Sequence, residues 1–243
     1  VVCGHEISGT LNSLRRATSA LLNARLLPLI NAFLDAVRTS LEQRGIAAPL
    51  VIVRSDGSLM AESVARERPV AIGECGLDYY LPDLDPDRQA EYFAGQLQLA
   101  RRHDLPVVIH ARHAVDQVIK MVRRFAGVRG VVHSFSGSED QARRLLDLGI
   151  LLSFGGPLTY PKATRLRGLM KVLPMDGFLL ETDAPDQPLS THPGQRNEPA
   201  YLAEVLACVA ELRNSDPAAI AAATTENAHR LFRLPDALSA SAH

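Results

Sequence analysis

Leu105–Arg112 reads LPVVIHAR, and it is the stretch that decides the fold. Three consecutive β-branched residues, Val107, Val108 and Ile109, follow Pro106, and His110 closes the run. A short, near-continuous apolar segment of this kind is the pattern of a strand buried on both faces. Helical spacing of apolar residues begins directly afterwards, over Ala114–Phe125. The same strand-then-helix unit recurs in both directions. Upstream, the strand Val70–Gly73 is followed by helix Arg88–His103. Downstream come Gly130–His133 and helix Glu139–Leu148, then Ile150–Phe154 and a short helix near Ala163–Val172. Gly177–Glu181 follows, with helices Glu198–Leu212 and Pro217–Phe232 after it. Alternation of this type predicts a parallel sheet covered by helices, either doubly wound or a (β/α)8 barrel. No GxGxxG follows a strand and no GxxxxGK[ST] occurs, which weakens the nucleotide-binding doubly wound alternative.

The polar residues that end these strands carry the functional signal. Glu74 closes Val70–Gly73, His110 closes Val107–Ile109, His133 closes Val131–Val132, and Asp183 lies just past Phe178–Glu181. In a parallel barrel all strand C-termini meet at one face, where catalytic groups gather. One Glu, two His and one Asp at that face suit one or two divalent metals, Mg, Mn or Zn. Such a centre implies metal-assisted hydrolysis, with Asp183 as the natural proton acceptor. Taken singly, each residue has a bland alternative: a hydrogen-bonded His, a helix-capping Asp, or a Glu74–Arg112 pair. Four in successive units are a much rarer accident. Substrate contacts are assigned more weakly to Arg112, His113 in the expected first turn of a helix, His192 in the Thr191–Arg196 loop, and Arg196. Lys162 and Arg165 are further phosphate candidates. Asp78 reads as a loop-ordering residue, and His103 and His229 as surface or packing residues.

Composition bounds the remaining possibilities. The chain has 243 residues, enough for one large α/β domain or two small ones. A net charge of −1 supplies no global basic field, so nucleic-acid binding needs a local patch or metal ions. The three cysteines form no CxxC and no zinc-ribbon spacing, and read as small hydrophobes in a reducing compartment. No secretory signal and no membrane span is visible, so a cytoplasmic location is expected; the oligomeric state is left open.

Taken together, the segments AIGECGLDYY (Ala71–Tyr80), LPVVIHAR, GVVHSFSGS (Gly130–Ser138), LLSFGG (Leu151–Gly156), LLETDAP (Leu179–Pro185), RNEP (Arg196–Pro199) and TTENAHRLF (Thr224–Phe232) resemble the TatD family of metal-dependent deoxyribonucleases, in that family's order. The resemblance implies a TIM-like barrel, a divalent-metal centre and hydrolysis of DNA phosphodiesters. It implies Glu74, His110 and His133 as metal ligands, Asp183 as ligand and base, and Glu198 as a supporting residue. TatD-like proteins begin with a strand carrying a His-x-His pair, and this sequence contains no HxH. Gly4–Val70 instead resembles a fragment of the hydantoinase A/oxoprolinase family, through HEISGTLNSLRRATSALLNARLLPLI (His5–Ile30) and PLVIVRSDGSLMAESVARERPV (Pro49–Val70). Here Ser8–Arg44 is expected to be mainly helical, with a turn at Ser55–Ser58.

The expectation is therefore an incomplete TIM-like (β/α) barrel over 70–236. A foreign helical segment over 1–69 precedes it and a tail over 237–243 follows. Pro49–Arg54 is a candidate to fill a gap in the barrel. The expected function is metal-dependent hydrolysis of DNA phosphodiesters, weakened by the missing HxH pair. The alternatives are a non-catalytic fusion or remnant, and a metal hydrolase acting on a non-nucleic-acid substrate.

Overall fold

A computed structural model describes residues 32, 35–40, 42–43, 51–53, 59–61, 70–80 and 84–234. The chain divides into two compact units, Val1–Glu74 and Cys75–His243. In the first, residues 35–40 are helical, and strands β1 (Val51–Val53) and β2 (Leu59–Ala61) pair antiparallel, Ile52 opposite Met60. β2 had no counterpart in the sequence reading. β1 is also not the gap-filling barrel strand that Pro49–Arg54 suggested, because β1 and β2 form a separate two-stranded sheet. Most of Ser8–Arg44, the turn at Ser55–Ser58 and the tail lie outside the described residues.

The second sheet has five strands: β3 (Ile72–Asp78), β4 (Val107–Arg112), β5 (Gly130–Val132), β6 (Ile150–Phe154) and β7 (Phe178–Leu180). Their spatial order is the chain order, β3-β4-β5-β6-β7, and β4–β5, β5–β6 and β6–β7 pair in parallel. A doubly wound sheet reverses its order at a switch point, whereas a barrel wall does not. The fold is thus an α/β fold of the TIM-like barrel type. The strand cores are continuous apolar runs: Val107, Ile109, Val131, Val132, Ile150, Leu152, Phe154 and Phe178 are all at most 3% exposed.

The helices form where sequence signals start and stop them. α1 (Pro86–His103) begins with Pro86 at its first position and with Asp85 accepting from the Asp87 and Arg88 amides. It ends at Asp104 in the left-handed conformation, φ 50. α2 (Val115–Arg124) buries Val115, Val118, Ile119 and Val122, one stripe at helical spacing. α3 (Glu139–Asp147) opens with a capping box between Ser138 and Gln141. α4 (Thr164–Val172), α5 (Leu202–Arg213) and α6 (Pro217–Phe232) complete the unit. A 3-10 turn, Pro199–Tyr201, occupies what was expected to be the start of the helix from Glu198, since Pro199 breaks the pattern there. In α6 the Asn227 amide, 2% exposed, donates to Met175 O at 2.8 Å and Phe178 O at 2.9 Å, pinning this helix to the entry of β7.

Candidate metal centre

Strand register brings the two histidines together. Ile109 is paired with Val132 across β4 and β5, so one step further along each strand places His110 beside His133. The His133 amide donates to Ile109 O at 3.0 Å, which holds the residue after β5 in line with the ladder. His110 Nδ1 and His133 Nε2 are 3.1 Å apart. Glu74, on β3, joins them: one ligand atom from each of Glu74, His110 and His133 lies within 4.8 Å of the other two.

Glu74 does not close its strand. β3 runs on to Asp78, because Gly73 and Gly76, which resemble punctuation in the sequence, are strand residues here. Gly76 has φ 139, and a Cβ on it would stand 2.0 Å from His110 O. Only glycine therefore lets β3 lie against β4 at the level of His110. Asp78, expected to order the loop, does so by accepting from the Tyr80 amide at 2.9 Å through Oδ1. Its Oδ2 also faces His110 Nε2 at 3.3 Å. A carboxylate on the second nitrogen of a candidate ligand fixes ring orientation and tautomer and raises ligand basicity. Buried Gln89 locks Asp78 in turn, accepting from its amide at 2.7 Å and donating to its carbonyl at 2.9 Å.

On the other side of His133, Nδ1 lies 4.0 Å from Glu181 Oε1 and 3.9 Å from Asp183 Oδ1. Glu181 follows β7 directly and is held by the turn after β5 and by β6. The amide and hydroxyl of Ser134 donate to Oε1 at 2.6 and 2.7 Å, and Ser153 Oγ on β6 donates to Oε2 at 2.5 Å. Gln187 Nε2 donates both to Ser134 Oγ at 2.8 Å and to Asp183 Oδ2 at 2.5 Å. A Cβ on Gly156 would meet Gln187 O at 2.0 Å, so glycine there admits the 183–187 loop.

Asn197, 1% exposed, fastens that loop from outside. Its Nδ2 donates to Thr182 O, Asp186 O and Gln187 O at 2.6, 2.9 and 3.0 Å. Asn197, rather than the exposed Glu198, is thus the buried supporting residue of the Arg196–Pro199 segment.

The substrate-contact candidates divide. Arg112 is exposed, with its guanidinium carbon 3.6 Å from the centre of the Tyr80 ring. His113 is not in a helix, because α2 begins at Val115; it is exposed with φ 55 and meets Tyr80 edge-on at 5.4 Å. His192 is engaged elsewhere: Nε2 is 2.7 Å from Glu204 Oε1 on α5, and the ring stacks on Tyr201 at 4.0 Å. The Thr191 hydroxyl, and then His192, hold the Glu204 carboxyl below its ordinary pKa through hydrogen bonds. Arg196 and Lys162 are exposed, and Arg165 donates to Ser136 O at 2.6 Å. Sequence reasoning passed over Asp78 and Glu181 as neighbours of the histidines, and Gln187 as the partner of Asp183. Glu181, immediately past an apolar strand, carried the same signal as His110.

The family described as TatD related DNase matches residues 54–233. The chain belongs to the TatD family of metal-dependent hydrolases. YjjV of Escherichia coli K12, named an uncharacterized metal-dependent hydrolase, is 41% identical over 196 residues, covering 79% of this chain and 76% of that protein. YabD of Bacillus subtilis 168, with the same description, is 40% identical over 187 residues, 75% of this chain and 72% of that one. The crystal structure of the TatD homologue YjjV superposes with a TM-score of 0.66 at 42% identity, covering 68% of this chain and 64% of that one. This TatD chain therefore spans just under two thirds of the solved relative. A second, short match, to the hydantoinase/oxoprolinase family, covers residues 16–76 and overlaps the first over 54–76.

The donor set of this TatD chain fits a divalent metal. Two imidazole nitrogens 3.1 Å apart are closer than twice the Zn–N distance of roughly 2.0–2.1 Å, so one ion reaches both. A carboxylate and two imidazoles suit Zn and Mn, with the remaining positions left open.

Proposed function

We propose that the chain hydrolyses DNA phosphodiester bonds with the help of a divalent metal held by Glu74, His110 and His133. The observation that carries this reading is the convergence of ligand atoms from β3, β4 and the residue after β5 within 4.8 Å of one another. The description of the matching family, TatD related DNase, supports DNA as the substrate class. A metal bound there would supply Lewis acidity, polarising the phosphoryl group and making a water more acidic.

The chain's own residues do the rest. Asp78 and buried Gln89 orient His110. Glu181, fixed by two serines, and Asp183 face His133 Nδ1. Gln187 engages Asp183 Oδ2, and Asp183 Oδ1 is the atom assigned to accept the proton of the attacking water. Among the described residues three protein donors converge on the centre, and slow turnover is expected of a sequence without an HxH pair. The likeness of residues 16–76 to hydantoinase/oxoprolinase proteins is proposed to be that of a fragment, adding no activity of its own.

The purified protein is expected to cleave a labelled DNA oligonucleotide slowly with Mn²⁺, Mg²⁺ or Zn²⁺ and not in EDTA. Asp183→Ala and His110→Ala are each expected to abolish the cleavage. Cleavage that persists in EDTA, or in Asp183→Ala, rules the reading out.

A further inference from the structure

Tyr79 and Tyr80 are among the few large hydrophobic side chains that the described residues leave exposed, at 37% and 53%. They stand directly beyond Asp78, at the end of β3, and two observations tie them to the candidate centre. The Tyr80 amide donates to Asp78 Oδ1, and the other oxygen of the same carboxylate faces His110 Nε2. The Tyr79 amide donates to Arg112 O at 2.9 Å, stitching the end of β3 to the end of β4. Arg112 itself lies two residues beyond His110, with its guanidinium carbon over the Tyr80 ring, 3.6 Å from the ring centre. His113 closes the edge of the same ring. Tyr80 stays 53% exposed although Arg112 lies over its ring and Tyr79 beside it is 37% exposed. The arrangement offers a planar π-surface and a permanent cation within one nucleotide's reach of the histidines.

We infer that Tyr80 and Arg112 form a stacking subsite for one unpaired nucleobase of a DNA strand whose neighbouring phosphate enters the His110–His133 centre. The inference rests on the phosphodiesterase reading and adds the substrate's form: single-stranded, with the base splayed out of any duplex. The base extends the Arg112–Tyr80 stack by one layer, since aromatic rings and guanidinium planes both accept a base face regardless of its identity. Arg112 also pairs with a backbone phosphate, which stacking geometry leaves accessible to its outward N–H groups. Duplex DNA keeps its bases paired and stacked and cannot use this ledge.

The test is equilibrium binding of fluorescein-labelled dT8 to the full chain in EDTA, read by anisotropy, so that binding is separated from cleavage. Base stacking on an aromatic side chain predicts that Tyr80→Ala weakens binding roughly five- to 150-fold, while Tyr80→Phe keeps it within about twofold. An abasic octamer of the same charge is expected to bind the parent and Tyr80→Ala equally weakly. Arg112→Gln is expected to reduce the slope of log affinity against log salt by about 0.7, one single-strand phosphate contact. Equal dT8 affinity for the parent and Tyr80→Ala, or no measurable dT8 binding by the parent, overturns the subsite. Tyr80-dependent binding in a protein that shows no metal-dependent cleavage keeps the subsite and sinks the hydrolase reading. Cleavage with Tyr80-independent binding does the reverse.

Discussion

Asp183 has φ 60, a left-handed conformation that few non-glycine residues adopt, although Asp tolerates it better than most. What holds its loop therefore matters as much as what it carries. Asn197 is that fastener, a fully buried amide donating to three loop carbonyls. Asn197→Ala leaves three part-buried carbonyls short of a donor, and is expected to cost about 1–3 kcal/mol in urea unfolding. Asn197→Asp keeps the shape but turns an acceptor towards three acceptors, so it is expected to destabilise more than alanine does; the reverse ranking would deny the clamp. A second residue-scale expectation concerns Glu204. Its carboxyl titrates below the ordinary carboxylate range because Thr191 and His192 hydrogen-bond the charged form. A depressed folded-state value means the clamp is intact above the free carboxylate's pKa, and is lost only as the pH falls through the lower folded value. Tyr201 ring resonances, which report the stack on His192, are expected to titrate below the midpoint of a free glutamate and to lose this titration in Glu204→Gln.

At the scale of the element, β3 shows where sequence reading succeeds and where it stops. β4, β5, β6 and β7 were legible because each is built on a short, mainly apolar run, and β6 matches its expected bounds, Ile150–Phe154. β3 was truncated at Gly73 because two glycines interrupt its apolar pattern; the reason for Gly76 is a neighbouring backbone, which a single sequence does not display. For the same reason Asp78 was read as a loop residue when it is the strand's last residue, facing His110. The hydrogen bonds that Gln187 and Asn197 make are equally invisible, since nothing in the local pattern distinguishes a buried loop amide from an exposed one. Gly76→Ala tests the account of β3. The added Cβ would stand 2.0 Å from a backbone carbonyl on a residue with φ 139, so neither rotamer choice nor side-chain movement relieves the clash. A loss of more than about 2 kcal/mol is expected in thermal or urea unfolding, and weaker metal binding with it, because the displaced carbonyl belongs to His110. Gly168→Ala, on the exposed face of α4 with open space around its Cβ position, is the matched control and is expected to be neutral or slightly stabilising.

For the whole molecule, the decisive property is that the three proposed ligands are distant in sequence and meet only when β3, β4 and β5 are in register. An unfolded chain offers a metal no such site, so metal affinity must appear as added stability of the folded state. At a free metal concentration of about 100 times Kd the added stability is about 2.7 kcal/mol. For a chain of this size that amounts to a rise in Tm of roughly 5–10 °C. The effect needs no turnover, so it reports on the centre even if catalysis is slow. A melting series with Zn²⁺ or Mn²⁺ against EDTA is expected to show the rise in the parent and its loss in His110→Ala and His133→Ala. Asp183→Ala is expected to keep most of it, because the trio of converging ligand atoms does not include Asp183. That separation is the informative part. If Asp183→Ala abolishes the shift as completely as His110→Ala does, Asp183 is a principal ligand and another group must take the proton. If neither histidine variant changes the shift, the metal is held elsewhere, and the convergence of the strand ends has been given the wrong role.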